Sequence, residues 1–221
     1  FNSNGSLDTA FGSSGTVSTD FSGGTDKANS IVIQADGKIV VAGQAFNSTT
    51  FQDFAVARYH SDGTLDTTFN GTGRQTIDIG TNSSDQGFGM DVGSDGKIVV
   101  TGFTNADGTS DNAVVRLNAN GTLDTSFGGT GKIITAIGSG SDFAFDVKVQ
   151  ADGKVLTSGY FSGSGNDFSI VRYNVNGTLD TTFGGTGIVA VNFNASTDDR
   201  GAKMILQADG RIVISGSTNQ S

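Results

Sequence analysis

The stretch that decides the fold is NGTLDTSFG, from Asn120 to Gly128, because the same words occur three more times. NGSLDTAFG starts at Asn4, DGTLDTTFN at Asp62 and NGTLDTTFG at Asn176. The glycines Gly5, Gly63, Gly121 and Gly177 are spaced 58, 58 and 56 residues apart. A fixed period in this range marks an array of supersecondary units, such as a solenoid or a propeller. Working outward, ADGKIVVAG, SDGKIVVTG, ADGKVLTSG and ADGRIVISG place glycines at Gly37, Gly96, Gly153 and Gly210. A third landmark joins an Asp to an Arg five residues on: DFAVARY at Asp53, DNAVVRL at Asp111 and DFSIVRY at Asp167.

Between these landmarks each unit of about 57 residues holds four short β-branched or aromatic runs bounded by Gly, Asn, Asp or Ser, the signature of strands. The first strands are expected at 16–21, 74–79, 132–137 and 188–193. The second are expected at 28–34, 87–92, 144–150 and 201–207, and the third at 38–42, 97–101, 154–158 and 211–215. The fourth are expected at 54–59, 112–117 and 168–173. The turn Gln34-Ala35-Asp36-Gly37-Lys38 fits a three-residue hairpin loop, a type I turn followed by Gly at positive φ. On strand two the residue that follows the leading Asp by two places is always tiny: Ala28, Gly87, Ala144 and Gly201. The other face carries Ile31 and Ile33, Met90 and Val92, Val147 and Val149, Met204 and Leu206. Strand three is apolar on both faces. Sheets buried on both sides, with small residues where another backbone comes close, describe a blade lying between blades.

Composition points the same way. All 22 acidic residues are Asp, a turn former, and no amphipathic helical stripe is present. Gly numbers 34 and Pro is absent, so the glycines read as turn and close-packing residues rather than as disorder. A net charge of −9 disfavours nucleic acid and anionic lipid as partners. With no Cys, disulfides and thiolate chemistry are excluded. No run of 18 apolar residues is present, so no membrane insertion is expected.

The expected fold is all-β: a β-propeller of four-stranded antiparallel blades in a single array, residues 1–221. Its units are about 4–61, 62–119, 120–175 and 176–221. The fourth unit lacks its Asp-to-Arg strand, and Phe1–Gly5 matches Tyr59–Gly63, just after such a strand. Three complete blades and one three-stranded blade are therefore expected, either as an excerpt of a longer array or with a strand supplied by a neighbour.

The order NGTLDTTFGGTGK, strand, QADGKIVVAG hairpin, DFAVVRYN-like strand resembles the delta-60 repeat family over the whole chain. Those are bacterial tandem repeats of β-propeller type in large secreted or cell-surface proteins. The resemblance implies a propeller and an extracellular or cell-surface setting, and it supplies no catalytic motif.

No catalytic, cofactor-binding or metal residue stands out. Asp8, Asp66, Asp124 and Asp180 of the Leu-Asp-Thr motif are weighed as a Ca²⁺ ring against an Asx turn that caps the next N–H groups, and the turn is preferred. Arg58, Arg116 and Arg172 read as structural ion-pair partners of a blade Asp. His60, the one histidine, reads as solvated. Phe11, Phe69, Phe127 and Phe183 are expected to pin the long connection onto the blade. The asymmetric loops at 44–52, 103–110 and 160–166, and at 22–25, 80–84 and 194–198, are where specificity is expected. The function expected is a non-catalytic scaffold or adhesion module, with protein or glycan partners and self-assembly through an unpaired blade edge. The alternative is a carbohydrate-binding propeller using Phe46, Phe103, Tyr160 and Phe161. A glycoside hydrolase is the least supported reading, and no enzyme is expected.

Overall fold

The computed structural model describes residues 1–163, 165–193 and 198–219. Among the described residues the regular elements are all strands. These are β1 (Lys27–Ile33), β2 (Ile39–Asn47), β3 (Phe51–Tyr59), β4 (Arg74–Ile77), β5 (Asp85–Val92), β6 (Ile98–Thr104), β7 (Asp111–Leu117), β8 (Lys132–Thr135), β9 (Asp142–Val149), β10 (Val155–Ser162), β11 (Asn166–Tyr173), β12 (Ile188–Val191), β13 (Asp199–Leu206) and β14 (Ile212–Thr218). Among the described residues no helix is long and apolar enough to cross a membrane.

Each sheet is an antiparallel meander in chain order: β1-β2-β3-β4, β5-β6-β7-β8, β9-β10-β11-β12, and the hairpin β13-β14. The phase of the repeat sets this grouping. The strand after each Leu-Asp-Thr motif pairs backward with the strand before it: Phe54 to Ala57 face Ile77 to Arg74, and Asn112 to Val115 face Thr135 to Lys132. The outer strand of each of the first three blades is thus supplied by the next sequence unit. This corrects the expected strand count of the fourth unit. Its first strand, β12, belongs to the third sheet, which leaves two strands in the last blade among the described residues. Residues 16–21, expected as a first strand, form no sheet. The other expected strands are present, most of them longer than read.

The hairpin turns form as the Asp-Gly pairs dictate. Gly37 N–H donates to Gln34 O at 2.9 Å and Gln34 N–H to Lys38 O at 2.8 Å, with Gly37 at φ +82°. That is the type I turn plus left-handed Gly.

Successive sheets stack face to face, each leading strand packing across the preceding blade as an open arc. The core lies between blades. One cluster joins Val40, Phe54 and Val56 of the first blade to Met90, Val100 and Val115 of the second. Another joins Val99 and Val114 to Val147, Val155 and Val171. The leading strands are also stitched at a constant offset. Asn29 Nδ2 donates to Gly87 O at 2.7 Å, Val149 N–H to Asp91 Oδ2 at 2.8 Å and Met204 N–H to Asp146 Oδ2 at 2.8 Å.

Candidate functional site

The repeated charges are used up in the scaffold. Arg58, Arg116 and Arg172 donate from Nε to Oδ2 of Asp66, Asp124 and Asp180 at 2.7, 2.7 and 2.8 Å. Lys38, Lys97 and Lys154, from the hairpin turns, reach the same oxygens at 3.1, 2.8 and 2.9 Å. The other carboxylate oxygen accepts the N–H and hydroxyl of Thr68, Ser126 or Thr182, an Asx turn. Each guanidinium lies over the Phe that closes the motif: Phe69 at 4.8 Å, Phe127 at 4.3 Å and Phe183 at 4.5 Å. Burial works against ionisation of Asp66 and Asp124. The Thr68 hydroxyl and Lys38 ammonium at the one, and the Lys97 ammonium and Ser126 hydroxyl at the other, outweigh it and hold both carboxyls well below the usual range. Asp180 is held down by the Thr182 hydroxyl and Lys154. The Asp8 carboxylate accepts the Ala10 N–H at 3.1 Å. His60 is exposed, 3.8 Å from Asp66 Oδ1.

A second set of repeated carboxylates lies where blades meet. Asp85 and Asp142, both buried, open the leading strands and accept the N–H of Ile79 and Ile137 at 2.6 Å, so that each caps the turn leaving the previous blade. Asp53 and Asp111, buried at the start of β3 and β7, face them across the junction. Burial raises Asp53, with the charges of Asp78 and Asp85 adding to it against a Thr50 hydrogen bond. Asp78 rises through burial and the Asp85 charge. Asp111 is pushed up to about 6 by burial, then by Asp107 and Asp142.

The asymmetric residues converge elsewhere. Every leading strand carries a bulge at the same repeat position, occupied by Asn29, Phe88, Phe145 and Ala202. A bulge re-aims its side chain out of the sheet pattern. Phe88 lies 5.1 Å from Phe145 and 5.9 Å from Phe103 between ring centroids. Phe143 lies 5.0 Å from both Phe103 and Tyr160. Arg200 extends the row from the fourth blade, 5.1 Å over the Tyr160 ring. The result is a half-buried aromatic stripe across the second and third blades. Two of the residues expected for glycan contact, Phe103 and Tyr160, are in it. Phe46 and Phe161 have no ring contact described with it. Phe88, Phe143, Phe145 and Arg200 were not singled out from the sequence. The repeat varies at their positions: one column reads Lys27, Gln86, Phe143 and Arg200, and the bulge column reads Asn29, Phe88, Phe145 and Ala202. The loop expected at 194–198 lies largely outside the described residues.

Three stretches of the chain, residues 34–69, 93–127 and 150–183, match the family described as "Domain of unknown function (DUF5122) beta-propeller". The chain carries β-propeller repeats. The delta-60 resemblance is compatible with this coarser assignment. No curated protein sequence matches the chain. Among solved structures, a gluconolactonase from Xanthomonas campestris is similar at 13% identity and TM-score 0.47, over 92% of this chain and 59% of its own. A structural-genomics protein provisionally described as a gluconolactonase is similar at 13% identity and TM-score 0.40, over 91% of this chain and 63% of its own. The chain thus spans about six-tenths of those proteins, and no residue role passes from them. The expectation that the chain is no enzyme is not kept: the two neighbours are described as gluconolactonases, one provisionally, and at these scores they say nothing of this chain's own activity.

Proposed function

We propose that this β-propeller repeat array is a scaffold that extends by stacking further blades of the same repeat on its two open faces, outside the cell. One observation carries this reading. Ile31 is 66% exposed, whereas the residues at the same repeat position in the next three blades, Met90, Val147 and Met204, are 3%, 0% and 1% exposed. That position is buried wherever a blade precedes it. At the other end Val213 is 45% exposed, and its equivalents Val40, Val99 and Leu156 are at 0%, 1% and 0%. The first blade also leaves a groove of about 750 Å³ lined by Phe11, Val17, Ile31, Val41, Ala57 and Tyr59. Residues 16–21 form its far wall and make the bonds an outer strand would make: Phe21 N–H to Asp26 Oδ2 at 2.9 Å and Tyr59 OH to Thr19 Oγ1 at 2.7 Å. The groove has the place of a preceding blade.

Sedimentation of the chain tests this. Head-to-tail association through unlike faces predicts concentration-dependent oligomers. Ile31→Asp and Val213→Asp each block one face, and an equimolar mixture of the two variants stops at a dimer. A chain that stays monomeric to about 1 mM would remove the reading, since weaker association is not specific binding.

The aromatic stripe favours a second reading, a sugar-binding platform in which Phe88, Phe103 and Phe145 offer ring faces and Arg200 a polar edge. Glycan-array binding that Phe145→Ala abolishes would support it, and a silent array would remove it.

A further inference from the structure

We propose that Asp53, Asp78 and Asp85 form a site for a divalent oxygen-seeking cation of calcium size, set in the junction between the first two blades. One carboxylate oxygen from each residue lies within 4.8 Å of the others. Calcium takes oxygen ligands at about 2.3–2.6 Å, so oxygens on opposite sides of one ion are separated by up to about 5 Å. Magnesium, at about 2.1 Å, wants a tighter set. The donors are all hard oxygens, which selects against zinc and copper.

A second observation points to a ligand. Asp53 is 3% exposed, and its Oδ1 has neither solvent contact nor a hydrogen-bond donor. Asp78 Oδ1 is in the same condition. Asp53 Oδ2 accepts from Thr50 Oγ1 at 2.7 Å, and Asp85 accepts on both oxygens, from Ser83 Oγ at 2.7 Å and from the Ile79 N–H at 2.6 Å. These bonds fix Asp53 and Asp85 in place and leave Asp53 Oδ1 and Asp78 Oδ1 bare, with Asp85 sharing an oxygen that also accepts a hydrogen bond. The charge balance agrees. Lys132 brings one positive charge to the junction, with its Nζ on Asp78 O at 2.5 Å, so three ionised carboxylates leave two negative charges uncompensated. An unpaired buried charge is costly, and a divalent ion neutralises it.

The third ligand is what sets this junction apart. Asp111 with Asp142, and Asp167 with Asp199, repeat the first pair. At the place of Asp78, however, the later units carry Ala136 and Asn192. Each of the three junctions between the described sheets has the pair, and this one alone has the third; Asp20 holds the same place in the first unit, beside Asp26, where no preceding sheet is described.

The test is calorimetric titration of CaCl₂ and, separately, MgCl₂ into the chelator-treated chain, with thermal unfolding in parallel. The expected result is one saturable Ca²⁺ equivalent, at least about ten-fold weaker Mg²⁺ binding, and a Tm that rises with Ca²⁺. Asp78→Ala, which copies Ala136, should fold and lose both effects. If it does not fold, Asp78→Asn keeps the shape, removes the charge and should show the same loss. Absence of saturable heat and of any Tm shift up to about 10 mM Ca²⁺, above the range of weak extracellular sites, would overturn the proposal. So would Ca²⁺ binding that persists unchanged in the Asp78 variant, or Mg²⁺ binding the tighter of the two.

Discussion

At the residue scale, stability turns on what each Asp faces. Arg116 and Asp124 are 4% and 5% exposed, and removing one partner strands a buried charge. Asp124→Ala is therefore expected to cost about 3 kcal/mol in denaturant unfolding. The double variant Asp124→Ala/Arg116→Met should cost less than the single one. Exposed pairs such as Arg211–Asp209 should contribute under about 1 kcal/mol. The two carboxylate classes also predict a two-sided pH profile. Asp66, Asp124 and Asp180 have depressed folded values, so their contribution is complete above the unfolded Asp range near 4 and is lost as pH falls further. Asp111 has the opposite sign. Its folded value of about 6 means that the native state holds more protons than the unfolded one between about 4 and 6. Its effect is a gain in stability as pH falls from 6 to 4. Urea unfolding across pH 3–7 should show a maximum near 4–5, and Asp111→Asn should flatten the upper side of it.

At the element scale, the bulge on each leading strand governs its neighbour. A Cβ on Gly43, Gly102, Gly159 or Gly216 would run into the carbonyl of Lys27, Gln86, Phe143 or Arg200. This is why the second strand of each sheet, β2, β6, β10 and β14, contains a glycine at that place. Gly102→Ala is expected to cost about 2 kcal/mol or more, with faster hydrogen exchange confined to β5 and β6. The hairpins, the strands and the ion-pair role of Arg58, Arg116 and Arg172 were legible in the sequence, because turn chemistry and period are local signals. Two features were not. The sequence motif starts at the Leu-Asp-Thr connection, but the sheet closes across it, since Asp66 N–H donates to Arg58 O and folds the connection back. Pairing phase is a tertiary matter that period alone does not fix. The bulge was equally hidden. One extra residue moves Phe88 and Phe145 out of strict alternation, so the aromatic stripe does not show in a period-two reading.

At the scale of the whole molecule, the account rests on blades that borrow their outer strand from the next repeat and then stack face to face. The stacking places the core between blades, which is why carboxylates meet at each junction. The most direct test uses the chain's lack of cysteine as a clean background. Val114 on β7 and Ile133 on β8 are register partners across that borrowed edge. The double variant Val114→Cys/Ile133→Cys, mildly oxidised and digested for mass spectrometry, should yield an intramolecular disulfide between the two peptides. Folded protein in which both thiols remain free, or in which position 133 cannot be bridged to β7 at all, would contradict the account.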